Sequence, residues 1–266
     1  MVVYPAQGIK VIHGVLAKCK GFESTARKTF KYIKLKIGEI KMKTKVCKVI
    51  LMFGLVIGFG LCMLNSAINV LHSWAFNETS GNIAHDSCPD PINGILNGCA
   101  SFLPGGEGVH LTASDDSYVS FGNSVGQFGT GDFTVTLEFK TSENKVAFDM
   151  VGNRTSAKFG NFFAIYMTLD GMVCASVCED ETGKNNIWLR SKAGFADGEW
   201  HTIEVNRSSN KLSLSIDGNP EKDGSAAGTA NIKNGNEFKL GRSNFANWIH
   251  PANAIYKNLS VLVVGP

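Results

Sequence analysis

The first 48 residues hold only two acids, Glu23 and Glu39, against 12 Lys and Arg, and the next sixteen, Val49 to Leu64, hold no charge and no strongly polar side chain. Past that run the balance reverses, with 14 basic against 21 acidic residues, so the overall +3 is the sum of a leader near +10 and a remainder near −7. An acidic domain without a Lys/Arg stripe is a poor match to phosphate backbones, which excludes nucleic acid as the expected partner. No stretch of ten or more residues beyond the run has convincing helical periodicity, which excludes a helical bundle. Glycine and asparagine are plentiful there, the punctuation of many turns.

An uncharged run with basic residues before it partitions into membranes with its basic flank on the cytoplasmic side. Two readings stay open. As a spanning helix the run is short, carries three glycines and ends on Asn65, Ser66 and Asn69. As the core of a signal peptide it is slightly long, but Met42-Lys-Thr-Lys-Val-Cys-Lys48 makes a compact basic start and Ala67 offers a small residue at a cut. The organisation expected is residues 1–48 as a basic leader, cytoplasmic or removed, 49–70 as a signal peptide or signal-anchor helix, and 71–266 as a domain. The protein is then secreted, or a single-pass type II membrane protein with its C-terminal domain outside, touching membrane only through 49–70. Phe30, Ile33, Ile37 and Ile40 stand at helical spacing among lysines and are read as part of a solvated basic flank.

Four of the seven cysteines, Cys88, Cys99, Cys174 and Cys178, follow the run, an even number that suits disulfides in an oxidising compartment. Cys88 and Cys99 bracket a turn-rich segment. Cys174 and Cys178 in a straight strand would stand about 13 Å apart, beyond bonding reach unless a bulge intervenes. A Cys-x-x-x-Cys with no second pair does not read as a zinc site. Glycosylation tripeptides begin at Asn77, Asn153, Asn206 and Asn258, all beyond the run.

The rest reads as alternating strands. Phe133, Val135, Leu137 and Phe139 face one way, and Thr134, Thr136, Glu138 and Lys140 the other. Leu212–Ile216 repeats the pattern and ends on Asp217-Gly218, a hairpin signal. Further strands are predicted at Ser117–Phe121, Ala147–Val151, Phe162–Leu169, Met172–Val177, Ile187–Ser191, Thr202–Asn206, Glu237–Leu240 and Ala254–Leu262. One wet face and one buried face per strand imply two packed antiparallel sheets. Trp200 is expected to pack at the sandwich edge, with His201 on the other face.

Five segments in order carry a resemblance: Ser73-Trp-Ala-Phe-Asn-Glu-Thr-Ser-Gly81, Asp115–Val119, Gly129–Phe139, Asp197-Gly-Glu-Trp-His-Thr-Ile-Glu-Val205, and Leu212–Gly218. Together they resemble a laminin G-like domain of the concanavalin A-like lectin/glucanase superfamily. The resemblance implies an all-β, antiparallel jelly-roll β-sandwich over roughly 72–264, and binding of glycans or extracellular proteins, in some members through calcium at the sandwich rim. Calcium-binding members carry an acid before the strand that matches Phe162–Leu169; this chain has Asn161 there. Candidate calcium ligands are Asn161, Asp115, Asp116 and Asp170, since calcium accepts neutral and carboxylate oxygens. The family's usual C-terminal disulfide has no counterpart, because no cysteine follows Cys178.

Glucanases of this superfamily need alternate carboxylates projecting from one strand, an acid pair about 5–5.5 Å apart when configuration is retained. Glu221-Lys-Asp223 lies in an expected Gly/Pro turn, and Glu179-Asp-Glu181 has no continuation. The expectation is therefore no enzymatic activity. Sugars stack on aromatic faces and hydrogen-bond at their rims, so Asn244, Asn247 and Trp248 in one late loop are candidate ligand contacts. The function expected is a non-catalytic, lectin-like or adhesive extracellular module, with a glycoside hydrolase of the same fold or a self-assembling surface protein as the alternatives.

Overall fold

The computed structural model describes residues 69–113, 116–245 and 253–264, with side chains from Leu71 onward. In chain order the strands among them are β1 (Asn69–Trp74), β2 (Ile83–Ala84), β3 (Gly94–Asn97), β4 (Ser101–Phe102), β5 (Val109–Leu111), β6 (Tyr118–Ser120), β7 (Asp132–Thr141), β8 (Phe148–Gly152), β9 (Phe162–Met167), β10 (Met172–Glu179), β11 (Lys184–Gly194), β12 (Trp200–Ser208), β13 (Lys211–Ile216), β14 (Asn219–Ser225), β15 (Lys239–Leu240) and β16 (Ala254–Val264). One 3₁₀ turn, Pro104–Gly106, is the only helical element among the described residues. None of their helices is long and apolar enough to cross a membrane.

The strands form two eight-stranded antiparallel sheets. The first runs β14-β13-β12-β7-β16-β5-β4, with β1 also paired to β16; the second runs β11-β10-β9-β8-β15-β6-β3-β2. In β7 the period-two pattern buries every second residue over its whole length. Inward residues of both sheets share one core, Val135, Leu137, Phe139, Ile203 and Val205 from the first, Val119, Val151, Phe163, Ile165 and Val173 from the second. Across it Phe133 and Phe163 meet edge to face, ring centroids 5.1 Å apart. Two sheets joined by such a core are a β-sandwich.

Arg207 turns inward at the end of β12 and is almost fully buried. Its guanidinium donates to the carbonyls of Gly131, Gly129 and Ala230 and lies over the Phe133 ring. It thereby ties the loops before β7 and after β14 to one strand. The hairpin between β13 and β14 turns at Asp217 and Gly218, both with positive φ (53° and 74°), as expected for the type I′ turn of Asp-Gly.

Several expectations are corrected. Asn219–Ser225, read as a turn, is strand β14, paired with β13 across a bulge. It is an edge strand exposed on most of its length, so no alternation marks it. The span 49–70 lies outside the described residues except for Asn69 and Val70, which open β1 and pair with Val264 and Val263. The expected disulfides do not form: Cys88, Cys99, Cys174 and Cys178 are free thiols. Cys174 and Cys178 share β10, and its bulge between Val177 and Glu179 does not bring them together. Asn153 is fully buried, its amide donating to the Gly126 carbonyl while its Oδ1 accepts the Phe163 N–H, so a glycan cannot be attached there in the folded protein. Asn77 and Asn258 are exposed, and half-buried Asn206 donates to Thr134 Oγ1.

Candidate ligand-binding face

The outward residues of the second sheet assemble by register. Ile187 and Leu189 of β11 point into the core, so Trp188 and Arg190 point out. Arg190 stands opposite Cys174 of β10, Cys174 opposite Tyr166 of β9, and Tyr166 opposite Asp149 of β8. The neighbouring row starts at Trp188, opposite Ser176, then crosses Ala164 to Gly152. A bulge in β8 between Asp149 and Val151 puts both Asp149 and Gly152 on the outer face. Only glycine fits at 152, where φ is 152° and a Cβ would lie 2.4 Å from the Phe163 carbonyl oxygen. From Gly152 the row continues opposite Lys239, then Ser120, then Ile95.

Trp188 is the notable side chain of this face, a tryptophan 51% exposed in mid-strand whose indole N–H donates to the Tyr166 hydroxyl. The Arg154 guanidinium lies 4.5 Å from the Tyr166 ring centroid and 5.2 Å from that of Phe162, and its Nε donates to Asp149 at 2.9 Å in a buried ion pair. Burial pushes the Tyr166 phenol up to about 12 and the Cys174 thiol to about 11, so both stay protonated at neutral pH and Cys174 is a poor nucleophile. Arg190 binds Asp170; the Thr168 hydroxyl and, secondarily, that arginine hold the Asp170 carboxyl below the usual carboxylate range.

At the far end of the row a shallow pocket of about 440 Å³ is lined by Ile92, Ile95, Asn97, Tyr118, Ser120 and Glu237, among others. Tyr118 is covered by two cations, Arg242 at 5.0 Å and Lys239 at 5.3 Å from its ring centroid. Lys239 also pairs with Glu237 at 2.9 Å and, as the largest influence, holds that carboxyl low. Asn244 sits between the two ends. Its side-chain amide donates to the Glu237 carbonyl and its backbone N–H to the Arg154 carbonyl.

The residues singled out in the sequence are thus divided. Asn244 belongs to this face; Asn247, Trp248 and Asp115 lie outside the described residues. The candidate calcium ligands are not gathered. Asn161 precedes β9 and donates to the Asn231 carbonyl, Asp170 follows the same strand, and exposed Asp116 faces Arg242 at 3.7 Å. Among the described residues no group of three or more His, Cys, Asp or Glu is placed to hold a metal ion. Trp188 and Tyr166 sit inside apolar runs that read as core; strand parity alone exposes Trp188, since Ile187 and Leu189 on either side must face inward.

Histidines without evident partners in the sequence gain them in the structure. His72 Nδ1 stands 2.6 Å from Asp86 Oδ2, and that carboxylate also accepts the N–H groups of Ser73, Cys88 and Ile92. This saturated acceptor is a strand tie, and burial raises the neighbouring Cys88 thiol above its ordinary value, away from nucleophilic use. His201 bridges Asp217 and Asp197 at 2.8 and 3.0 Å, and Trp200 stacks under Lys257, structural roles for both. Gly122-Asn-Ser-Val-Gly126 has nucleophile-elbow spacing. It forms a turn with no helix after it, unlike the strand-to-helix turn the elbow requires.

Comparisons with known proteins agree with this architecture. No curated protein matches the chain. Among solved structures, the binding domain of Paraclostridial Mosquitocidal Protein 1 superposes with a TM-score of 0.54 at 15% identity, over 71% of this chain and 48% of that one. The binding domain of botulinum neurotoxin serotype G gives 0.53 at 11%, over 71% and 46%. A Trypanosoma rangeli sialidase in complex with 2,3-difluorosialic acid gives 0.53 at 11%, over 71% and 30%. The chain thus spans less than half the length of these structures, and at such identities the likeness is one of fold. A laminin G-type family model, described as concanavalin A-like lectin/glucanases superfamily, matches residues 113–261. With more than half of its length matched, the chain belongs to the concanavalin A-like lectin/glucanase superfamily.

Proposed function

We propose that the domain is a non-catalytic module that binds glycans on the outer face of its second sheet, with Trp188 as the stacking platform. The observation that carries this reading is the exposed Trp188 ring, fixed by its hydrogen bond to Tyr166 and bordered by Arg190. A large, rigid ring held in place loses little entropy on contact, and its flat face matches the apolar face of a sugar ring. The acids of the face favour binding over chemistry. A general acid needs a carboxyl with a raised pKa, whereas Asp170 and Glu237 are both held low and Asp149 is paired with Arg154.

The reading extends to an extracellular setting, reached by secretion or by a type II anchor at 49–70. The charge reversal across Val49–Leu64 and the exposed acceptors Asn77 and Asn258 support it. Screening the purified protein and its Trp188→Ala variant on a glycan array tests the binding claim. The expected outcome is one or more glycan signals that fall at least tenfold in the variant; signals that persist unchanged in the variant, or no signal from the parent protein, contradict it.

A further inference from the structure

Between β8 and β9 the chain leaves the second sheet and returns as a strap, residues 153–161, laid on the sheet's outer face. Its two feet are fixed. Asn153 is fully buried, donating to the Gly126 carbonyl and accepting the Phe163 N–H. The Asn234 side-chain amide donates to the carbonyls of both Asn153 and Asn161, at 3.0 and 2.6 Å. One side chain thereby closes the strap at its base, the geometry of an Ω-loop. Arg154, next to the first foot, is also held, by Asp149 and by the Asn244 N–H.

The tip is held differently. Among the described residues no backbone hydrogen bond joins 155–159 to either sheet. The tip's apolar anchor is Phe159. Its ring lies against Gly183, where a Cβ would come within 2.6 Å of it, and packs on Phe162, Ala164 and Cys178. Those three buried residues form a cluster of their own, apart from the core between the sheets. Lifting Phe159 therefore gives up one small patch of burial and leaves the sandwich core intact, the condition for a local opening far below global unfolding. Gly160, at φ 146°, supplies a pivot without a side chain just inside the second foot.

From this arrangement we infer that residues 155–160 are a lid, which swings on fixed feet, lifts Phe159 and uncovers an apolar strip of Phe162, Ala164 and Cys178. The strip adjoins Tyr166, and Ala164 pairs with Ser176, which pairs with Trp188. The open lid thus adds apolar surface two strands from the Trp188 ring, and the closed lid withholds it. The lid stands on its own geometry and does not depend on the glycan-binding reading. Cys178 reports its motion. Closed, the thiol is buried, and that burial holds its pKa above the ordinary value. Uncovered, it regains thiolate and reacts. Cys174, buried on the same strand opposite Tyr166 and Arg190 and outside the Phe159 cluster, is the internal control.

The test is pulsed alkylation of the full-length protein with N-ethylmaleimide, read cysteine by cysteine by peptide mass spectrometry, with hydrogen exchange of β9 and β10 measured alongside. We expect Cys178 to label at least tenfold faster than Cys174, at a rate that low urea leaves unchanged because a local opening exposes little surface. The backbone amides of 162–164 and 177–178 stay protected meanwhile, since the lid lifts and the sheet does not. Phe159→Ala raises the Cys178 rate at least tenfold further and leaves the Cys174 rate as it was. Cys178 that labels no faster than Cys174, or only as urea unfolds the whole domain, shows a static cover and overturns the lid. Amide protection lost together with Cys178 labelling means that the end of β10 frays, and overturns it equally. A Cys178 rate unchanged by Phe159→Ala removes Phe159 as the anchor, and the lid with it.

Discussion

Three side chains illustrate how burial decides a residue's role here. Arg207 is a buried cation held by carbonyl oxygens in place of a carboxylate, and burial lowers its pKa to about 10, still well above neutrality. Replacing it with Ala leaves those carbonyls short of donors and opens a void, an expected loss of about 3 kcal/mol in denaturant unfolding. Lysine, with no planar fork, is expected to recover less than half. Tyr256 is the opposite case. Its hydroxyl is buried on β16 with no hydrogen-bond partner among the described residues, and burial pushes its pKa up. Tyr256→Phe removes a dehydrated polar group at nearly constant shape, so stability is expected to hold or to rise by up to about 1 kcal/mol; a loss above that figure would reveal a partner for the hydroxyl. Trp188, half exposed, is expected to change stability by less than about 0.5 kcal/mol when replaced by Ala, which separates its binding role from a packing role.

At the scale of elements, the turn from β13 to β14 is fastened to β12 by His201. Its ring is 12% exposed, packs against Phe139 and Phe195, and offers one nitrogen to Asp217 and the other to Asp197. Burial alone would lower its pKa, but the hydrogen bonds to the two carboxylates outweigh it and the net shift is upward from 6.5. The clamp's contribution is therefore fully present below pH 6.5, where unfolded histidine is also protonated, and is lost as pH rises through the elevated folded value. Asp197, held low chiefly by the Glu199 N–H and then by His201, sets the opposite limit, its share fading as pH falls through its folded value. The melting-temperature gap between the parent and His201→Asn is expected to be larger at pH 6 than at pH 8.5; an equal gap at both would mean the imidazolium is not what holds the turn.

The same scale explains what was legible in the sequence. Strands with one wet and one dry face, β7 and β13 above all, announce themselves by alternation. The edge strand β14 carries Pro220 and Gly224 and buries almost nothing, so it reads as a turn. Strands β8, β9 and β10 are buried on both faces, because Phe159 and Arg154 from the intervening loop cover Phe162, Ala164 and Tyr166. Their continuous apolar runs hide which residues face out, and the row from Asp149 to Arg190 emerges only once register is known. Asn244 stands out in the sequence by its chemistry alone; Trp188 does not, since one exposed aromatic among core-like neighbours has no signal except parity.

The described residues form a β-sandwich of the concanavalin A-like lectin/glucanase superfamily, and under the proposed function its second sheet meets the ligand. The most direct test is to follow backbone amides and tryptophan indoles of isotope-labelled protein by NMR while adding the strongest glycan from the array. The Trp188 indole and the amides of Tyr166, Arg190 and Asn244 are expected to shift together and saturably, while those of β7, β12 and β13 stay fixed. Shifts confined to the first sheet or to the Asp197 and Asp217 turns, with the Trp188 indole unmoved, would contradict the assignment of the binding face.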